Sequence, residues 1–244
     1  MNFLKRTQVL FTVFTALVST GCSTVTDEDK IGDAQYCLDD IPLTGLTTEQ
    51  RTVAVNTCLG KLGSVAGPKA SLIRCSANFI IEGFADPSRL VNAMNNISSS
   101  NGNNGTVAMM SVLAFTSQAD ADANASFAQQ TLSICQQAGN PGFVLVASFS
   151  NIASALVKAS AAAGNILSDG VITPQELNDV ISNAGNLPAE VIGATATAAY
   201  QASCSSGTES NEALCSELGQ ALNSQQSNEA IGQALLDSWK NNQP

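Results

Sequence analysis

The chain predicts an all-α fold, an irregular disulfide-stapled bundle of about eight to eleven short helices. Alanine is abundant, and the period-two alternation of β-branched residues that marks strands is rare. Apolar residues recur instead at three- and four-residue spacing, in runs bounded by Ser, Thr or Asp caps and by prolines at first helical positions. Apart from Cys22 the cysteines form an even set, Cys37, Cys58, Cys75, Cys135, Cys204 and Cys215, with no Cys-x-x-Cys and no histidine in the chain. That set suits three disulfides in an oxidising compartment better than a zinc site. Pairing near neighbours gives Cys37 with Cys58, Cys75 with Cys135, and Cys204 with Cys215.

The chain opens on Lys5 and Arg6, followed by an uncharged run from Val9 to Val18. This run is too short to cross a bilayer as a helix, which needs about 20 residues, and suits a secretory signal. It ends in Leu17-Val18-Ser19-Thr20-Gly21-Cys22, which resembles the lipobox of bacterial lipoproteins. The resemblance implies that residues 1–21 are a signal peptide and that Cys22 is acylated and becomes the mature N-terminus. With Ser23 rather than Asp behind the cysteine, it also implies sorting to the outer membrane of a bacterial cell envelope. Ser19 departs from the pattern, since that family usually has an aliphatic residue there. The other reading is an ordinary cleaved signal peptide, with Cys22 a seventh disulfide-capable cysteine.

Residues 22–32 read as an acylated N-terminus and flexible polar tether, and 33–244 as the helical domain. Thr47-Thr48-Glu49-Gln50 is a capping box opening a helix that carries Val55, Cys58, Leu59 and Leu62 on one face. Ala66-Gly67-Pro68 breaks the chain and starts the next helix, with Leu72, Cys75, Phe79 and Glu82 at helical spacing. Asp86-Pro87 repeats that start, and Leu90, Val91, Met94 and Ile97 follow on one stripe. Ser98 to Gly105 reads as a loop and a subdomain break.

Helices are then expected over Val107 to Phe115, Asp122 to Gln137 and Pro141 to Ala163. Phe143 to Leu156 is apolar on nearly every side, so it is the expected core helix. Ser148, Ser150, Asn151 and Ser154 argue against its crossing a membrane. The last third divides into Pro174 to Asn183, Pro188 to Ala202, and two helices beginning at Ser210 and Ser227. Those two share the wording Ser-Asn-Glu-Ala, which common N-cap chemistry explains. No helical-repeat period accompanies it.

Lys5 and Arg6 are the only bases before Cys22, so the net charge of −10 becomes about −12 from Cys22 onward. Between Arg89 and Lys240 the only base is Lys158. Such a surface repels nucleic acid, and any membrane contact is expected through the acyl chains.

Asn165 to Leu177 resembles the second half of an EF-hand calcium loop, with Asn165, Asp169, Val171 and Glu176 as candidate ligands. Leu167, at the third position, has no ligand oxygen. Thr173-Pro174-Gln175-Glu176 reads equally as a capping box after an Asp169-Gly170 turn, and no metal or other cofactor is expected. Asp120-Ala121-Asp122-Ala123-Asn124 copies the acidic opening of a calcium loop without its glycine or closing glutamate, and reads as a helix start.

The lack of histidine removes Ser-His-Asp and Cys-His catalysis. Carboxylates remain as pairs: Asp39 with Asp40, Glu209 with Glu212, and Asp86 near Glu82. Met109, Met110, Phe115, Phe143 and Phe149 are candidates for the lining of an apolar cavity. The expected function is therefore a lipid-anchored envelope protein with a helical interaction or structural module, without catalytic activity, acting on an envelope protein partner. The alternative is a periplasmic or surface accessory that binds a small ligand, for example beside a transporter. A carboxylate-dependent hydrolase ranks third.

Overall fold

The computed structural model describes residues 25–42, 44–86, 105–162, 173–183, 187–204, 212–224 and 227–241. They form ten α-helices and, among the described residues, no strand: α1 Asp27–Asp39, α2 Thr48–Leu62, α3 Pro68–Ile81, α4 Gly105–Leu113, α5 Ala121–Ala138, α6 Pro141–Ala162, α7 Pro174–Asn183, α8 Ala189–Ser203, α9 Glu212–Ser224 and α10 Asn228–Asn241. The fold is all-α and carries three disulfides, as the sequence predicts. The helix expected after Pro87 and the loop from Ser98 lie outside the described residues up to Gly105, where α4 begins.

The first helix starts earlier than expected, inside the stretch read as tether. Thr26 is its cap: the hydroxyl accepts from the Asp29 N–H at 3.2 Å, and the Asp29 carboxylate accepts from the Thr26 N–H at 2.9 Å. Asp at the third helical position thus completes a capping box that usually carries Glu or Gln. Asp27, Glu28 and Asp29 all face the positive end of the helix dipole, so an acidic stretch that looks disordered by composition is a favourable first turn.

Helices α1, α2 and α3 enclose an N-terminal core that includes Leu38, Ile41, Val55, Leu62, Ile73 and Ile81. Cys37–Cys58 joins α1 to α2 within it. Arg51 closes the end of this unit. Its guanidinium donates to the Leu46 carbonyl at 2.8 Å, the Ile81 carbonyl at 3.1 Å and the Thr48 hydroxyl at 3.2 Å. The group lies 3.2 Å from where a Cβ on Gly83 would stand, and Gly83 has φ +76°, so the backbone favours glycine there and a side chain would press on the guanidinium.

A second core joins α3 to α5 and α6, with Cys75–Cys135 linking α3 to α5. Phe79, Phe84, Phe115, Phe127 and Phe143 gather here, with ring centroids 5.5–6.3 Å apart in stacked, tilted and edge-on pairs. Asp120 caps α5 by accepting from the Ala123 N–H at 2.8 Å, so the acidic run at 120–124 is a helix start.

Helix α6 is long and apolar enough to cross a membrane by length and composition. That apolar length is spent on packing against α4, α5, α7 and α8. Phe149, Ile152, Ala153 and Leu156 belong to the largest core, which α6 shares with α4 and α7 to α10. Two buried amides fix register between helices: Asn78 of α3 donates to the Thr131 hydroxyl of α5 at 2.9 Å, and Asn151 of α6 donates to the Thr195 hydroxyl of α8 at 3.0 Å. A one-residue slip at either interface would leave the buried amide without this acceptor in the interior.

The closest helix contact is between α8 and α10. A Cβ on Gly193 would stand 2.8 Å from the Gly232 nitrogen and closer still to the Asn228 carbonyl oxygen. A Cβ on Gly232 would meet the Gly193 nitrogen and the Ala189 carbonyl in the same way. The contact is reciprocal, and the sequence repeats across it: Glu190-Val191-Ile192-Gly193 on one helix, Glu229-Ala230-Ile231-Gly232 on the other. This pairing, rather than the Ser-Asn-Glu echo between the last two helices, is the internal likeness that the fold uses.

Candidate functional site

Helices α5 and α8 both lean on α6 and leave an open trough above it. The walls run in the same direction. At one end Gln129 and Ser133 of α5 face Glu190, Val191 and Ala194 of α8, enclosing about 360 Å³. At the other, Gly139 and Pro141 face Gln201 and Ala202 across about 410 Å³. Gln136 and Ala198 line both, so the two volumes adjoin. The floor is the paired Asn151 and Thr195, with Val144 further along. Asn228, at the start of α10, closes one end, and at the other the Ser203 hydroxyl donates to the Pro141 carbonyl at 3.3 Å.

The helical periodicity of the walls creates this shape. On α8, Glu190, Ala194, Ala198 and Ala202 fall at four-residue intervals, and the alanines are too small to fill the gap toward α5. On α5, Gln129, Ser133 and Gln136 fall on the facing stripe. Among the described residues no protein group pairs with the Gln129 or Gln136 carboxamide. Glu190 is the only charged residue in the lining, and none of the lining residues is aromatic. Val191 stays 41% exposed at the lip. Such a surface donates and accepts hydrogen bonds along a line.

The residues singled out by sequence fall elsewhere. Cys22 lies outside the described residues, as do Asn165, Asp169, Val171 and Glu209. Glu176 is engaged by its own helix end: its carboxylate accepts from the Thr173 N–H at 2.7 Å and hydroxyl at 2.8 Å, and its N–H donates to the Thr173 hydroxyl. This is the capping-box reading of that segment. Among the described residues no cluster of three or more His, Cys, Asp or Glu is placed to hold a metal ion.

Of the carboxylate pairs, Asp39 and Asp40 are exposed at the end of α1. Glu82 is 2% exposed and tied to the loop before α5. It accepts from the Thr116 N–H at 2.9 Å, the Ser117 N–H at 3.3 Å and, at short range, the Ser117 hydroxyl. A carboxylate so occupied is a loop clamp, and this accounts for a buried acid without catalysis. The five side chains read as a possible cavity lining separate: Phe115 and Phe143 join the aromatic core, while Met110 and Phe149 are buried in the C-terminal core with Met109 packed against it.

Two exposed acids are shifted downward. The Thr26 hydroxyl, and after it the Thr26 N–H, donate to Asp29 and hold its carboxyl below the usual carboxylate range. The backbone N–H of Glu49 itself and then the Thr47 hydroxyl do the same for Glu49. Both belong to helix starts and neither lies in the trough.

Sequence reading missed the trough because its amides look like the Asn, Gln, Ser and Thr that cover the rest of this charge-poor surface. The available signal was the coincidence of a four-residue alanine stripe on one helix with a glutamine stripe on another. The three disulfides join the cysteines that near-neighbour pairing brings together, including Cys204–Cys215 at the end of α8. No protein-family model, no curated protein and no solved structure matches this chain.

Proposed function

We propose that the chain is a lipid-anchored protein of a bacterial cell envelope, held to the outer membrane through Cys22, whose helical domain serves as an interaction module rather than an enzyme. The observation that carries the reading is the closeness of two sequence features, the lipobox-like stretch ending at Cys22 and the capped helix starting at Asp27. Only Ser23, Thr24 and Val25 separate the anchor cysteine from the Thr26 cap, a chain reach of about 14 Å at most. A domain attached this way stands beside the membrane, where it meets envelope partners without a long tether. Three disulfides support an oxidising compartment. The open trough with its line of amide and hydroxyl groups supports a binding role.

The second reading, a ligand-binding accessory, draws on the same trough, whose two volumes fall within the size range of small-molecule sites. Its openness and amide lining favour an elongated partner over an enclosed small molecule.

The anchor is tested by Cys22→Ala. Two acyl chains give stable membrane attachment where one is marginal, so the variant is expected to move nearly completely from the membrane to the soluble envelope fraction and to lose the lipid mass increment. Unchanged membrane partition of the variant overturns the reading.

A further inference from the structure

We infer that the trough over α6 binds an extended peptide segment, with a lysine or arginine of that segment held at the Glu190 end. The inference rests on the interaction-module reading and names its partner class. Three observations carry it.

The first is dimension. The α5 wall from Gln129 to Gly139 and the α8 wall from Glu190 to Ala202 span roughly 15 and 18 Å at helical rise, and about five residues of extended chain cover that distance. The trough is open along its top, so a chain can enter sideways and rise out over the closed ends.

The second is hydrogen-bonding chemistry. An extended peptide presents alternating N–H and C=O groups that need partners on each side. A carboxamide supplies N–H donors and a carbonyl acceptor in the geometry of a peptide group. Gln129 and Gln136 offer theirs from one wall, and Ser133 between them adds a hydroxyl. On the facing wall Ala194 and Ala198 keep the space clear, so a backbone approaches closely. A glycan also uses amides and hydroxyls, but sugar rings stack on aromatic faces and this lining has none.

The third is charge. Glu190 is the only ionised side chain in the lining, and the molecule as a whole carries an acidic excess. A segment with a basic residue over the start of α8 gains that carboxylate, whereas an acidic segment is repelled.

The test uses the full-length protein in detergent micelles and fluorescein-labelled heptapeptide pools that carry lysine, alanine or glutamate at one fixed position. Saturable binding of the lysine pool is expected, at least about tenfold tighter than the glutamate pool. Ala194→Trp, at an exposed position in the trough, is expected to weaken the lysine pool by about tenfold or more with the circular dichroism spectrum unchanged. Glu190→Gln is expected to bring the lysine pool to the level of the alanine pool.

If Ala194→Trp perturbs the fold, the exposed double change Gln129→Ala with Gln136→Ala decides instead, with a loss of similar direction expected. The inference is overturned by equal affinity of lysine and glutamate pools, by no saturation with any pool, by full binding in the folded trough variants, or by saturation with N-acetylglucosamine oligomers in place of peptides. Peptide binding and the Cys22 fractionation fail separately. A trough blind to peptides with Cys22-dependent partition intact removes this inference alone, and the converse removes only the anchor.

Discussion

In the N-terminal unit α1 and α2 are joined by Cys37–Cys58, Lys69 reaches Glu28 at 2.9 Å, and the Arg51 guanidinium spans the ends of α2 and α3. In the C-terminal unit α8 and α10 meet backbone to backbone at Gly193 and Gly232, with no disulfide between them. Five of the bases beyond Cys22 lie in α1 to α3, and almost none in the C-terminal unit. Where charged cross-links are scarce, close approach of the helices adds to the Cys204–Cys215 bridge and the apolar core, because the dispersion contacts of two backbones in register accumulate over several turns. The N-terminal salt bridges are exposed and contribute little individually, below about 1 kcal/mol each. Its resilience therefore rests on the disulfide and the apolar core, whereas the C-terminal unit adds to its own core and to Cys204–Cys215 a crossing that depends on two hydrogen atoms where side chains would be.

Gly232→Ala is the sharpest way to break the comparison. The added methyl meets backbone atoms that cannot rotate away, so the helices must separate and loosen Ile192, Ile231 and Leu235 around them. A loss of about 3 kcal/mol or more is expected from such overpacking, read as a large fall in the denaturation midpoint. Gly60→Ala in α2 serves as contrast: nothing stands within 4 Å of its Cβ position, so the better helix propensity should stabilise by up to about 1 kcal/mol. Equal effects of the two changes would show that the α8–α10 approach is looser than described.

Removing Cys37–Cys58 with a double alanine change tests the other side. A loop of 21 residues gives a chain-entropy contribution of about 3 kcal/mol. Amide exchange should quicken mainly in α1 and α2, while the α8–α10 pair keeps its protection. Uniform loss of protection along the whole chain would mean that the two units do not differ in what holds them.

The smallest effect is acid sensitivity at the start of α1. The folded-state carboxyl of Asp29 titrates below its unfolded value, with the Thr26 hydroxyl and N–H as cause. Its contribution is fully present above the unfolded pKa and is lost as the pH falls through the folded one. Amide exchange in the first turn of α1 should therefore quicken on acidification in this window, and Thr26→Ala should abolish that pH dependence. A first turn that frays at all pH values alike would remove the capping box from the account.

The sequence made most helix boundaries legible, because caps and prolines act locally. Thr47 and Gln50, Asp120, and Thr173 with Glu176 each satisfy orphan groups within their own turn, and Pro68 removes one by having no N–H. Thr26 escaped notice only because an aspartate takes the role usually given to Glu or Gln. Near-neighbour pairing of Cys37 with Cys58 and of Cys204 with Cys215 was legible for a related reason: short connections between helices bring such residues together at low entropic cost, whereas Cys75–Cys135 spans 60 residues.

What the sequence alone determined is thus the helical character, the starts of the helices, the apolar core helix α6 and a cysteine set suited to three bridges. Which faces meet was decided only by the tertiary structure. Five phenylalanines from α3, α5, α6 and two connecting segments converge in one core, although nothing in their spacing joins them. Gly193 and Gly232 become a contact only when α8 and α10 cross, and the alanines of α8 become a trough wall only when α5 stands opposite. Local rules see one turn of helix at a time. The grooves, crossings and buried pairs belong to two helices at once, and the energy that selects them exists only after both have docked.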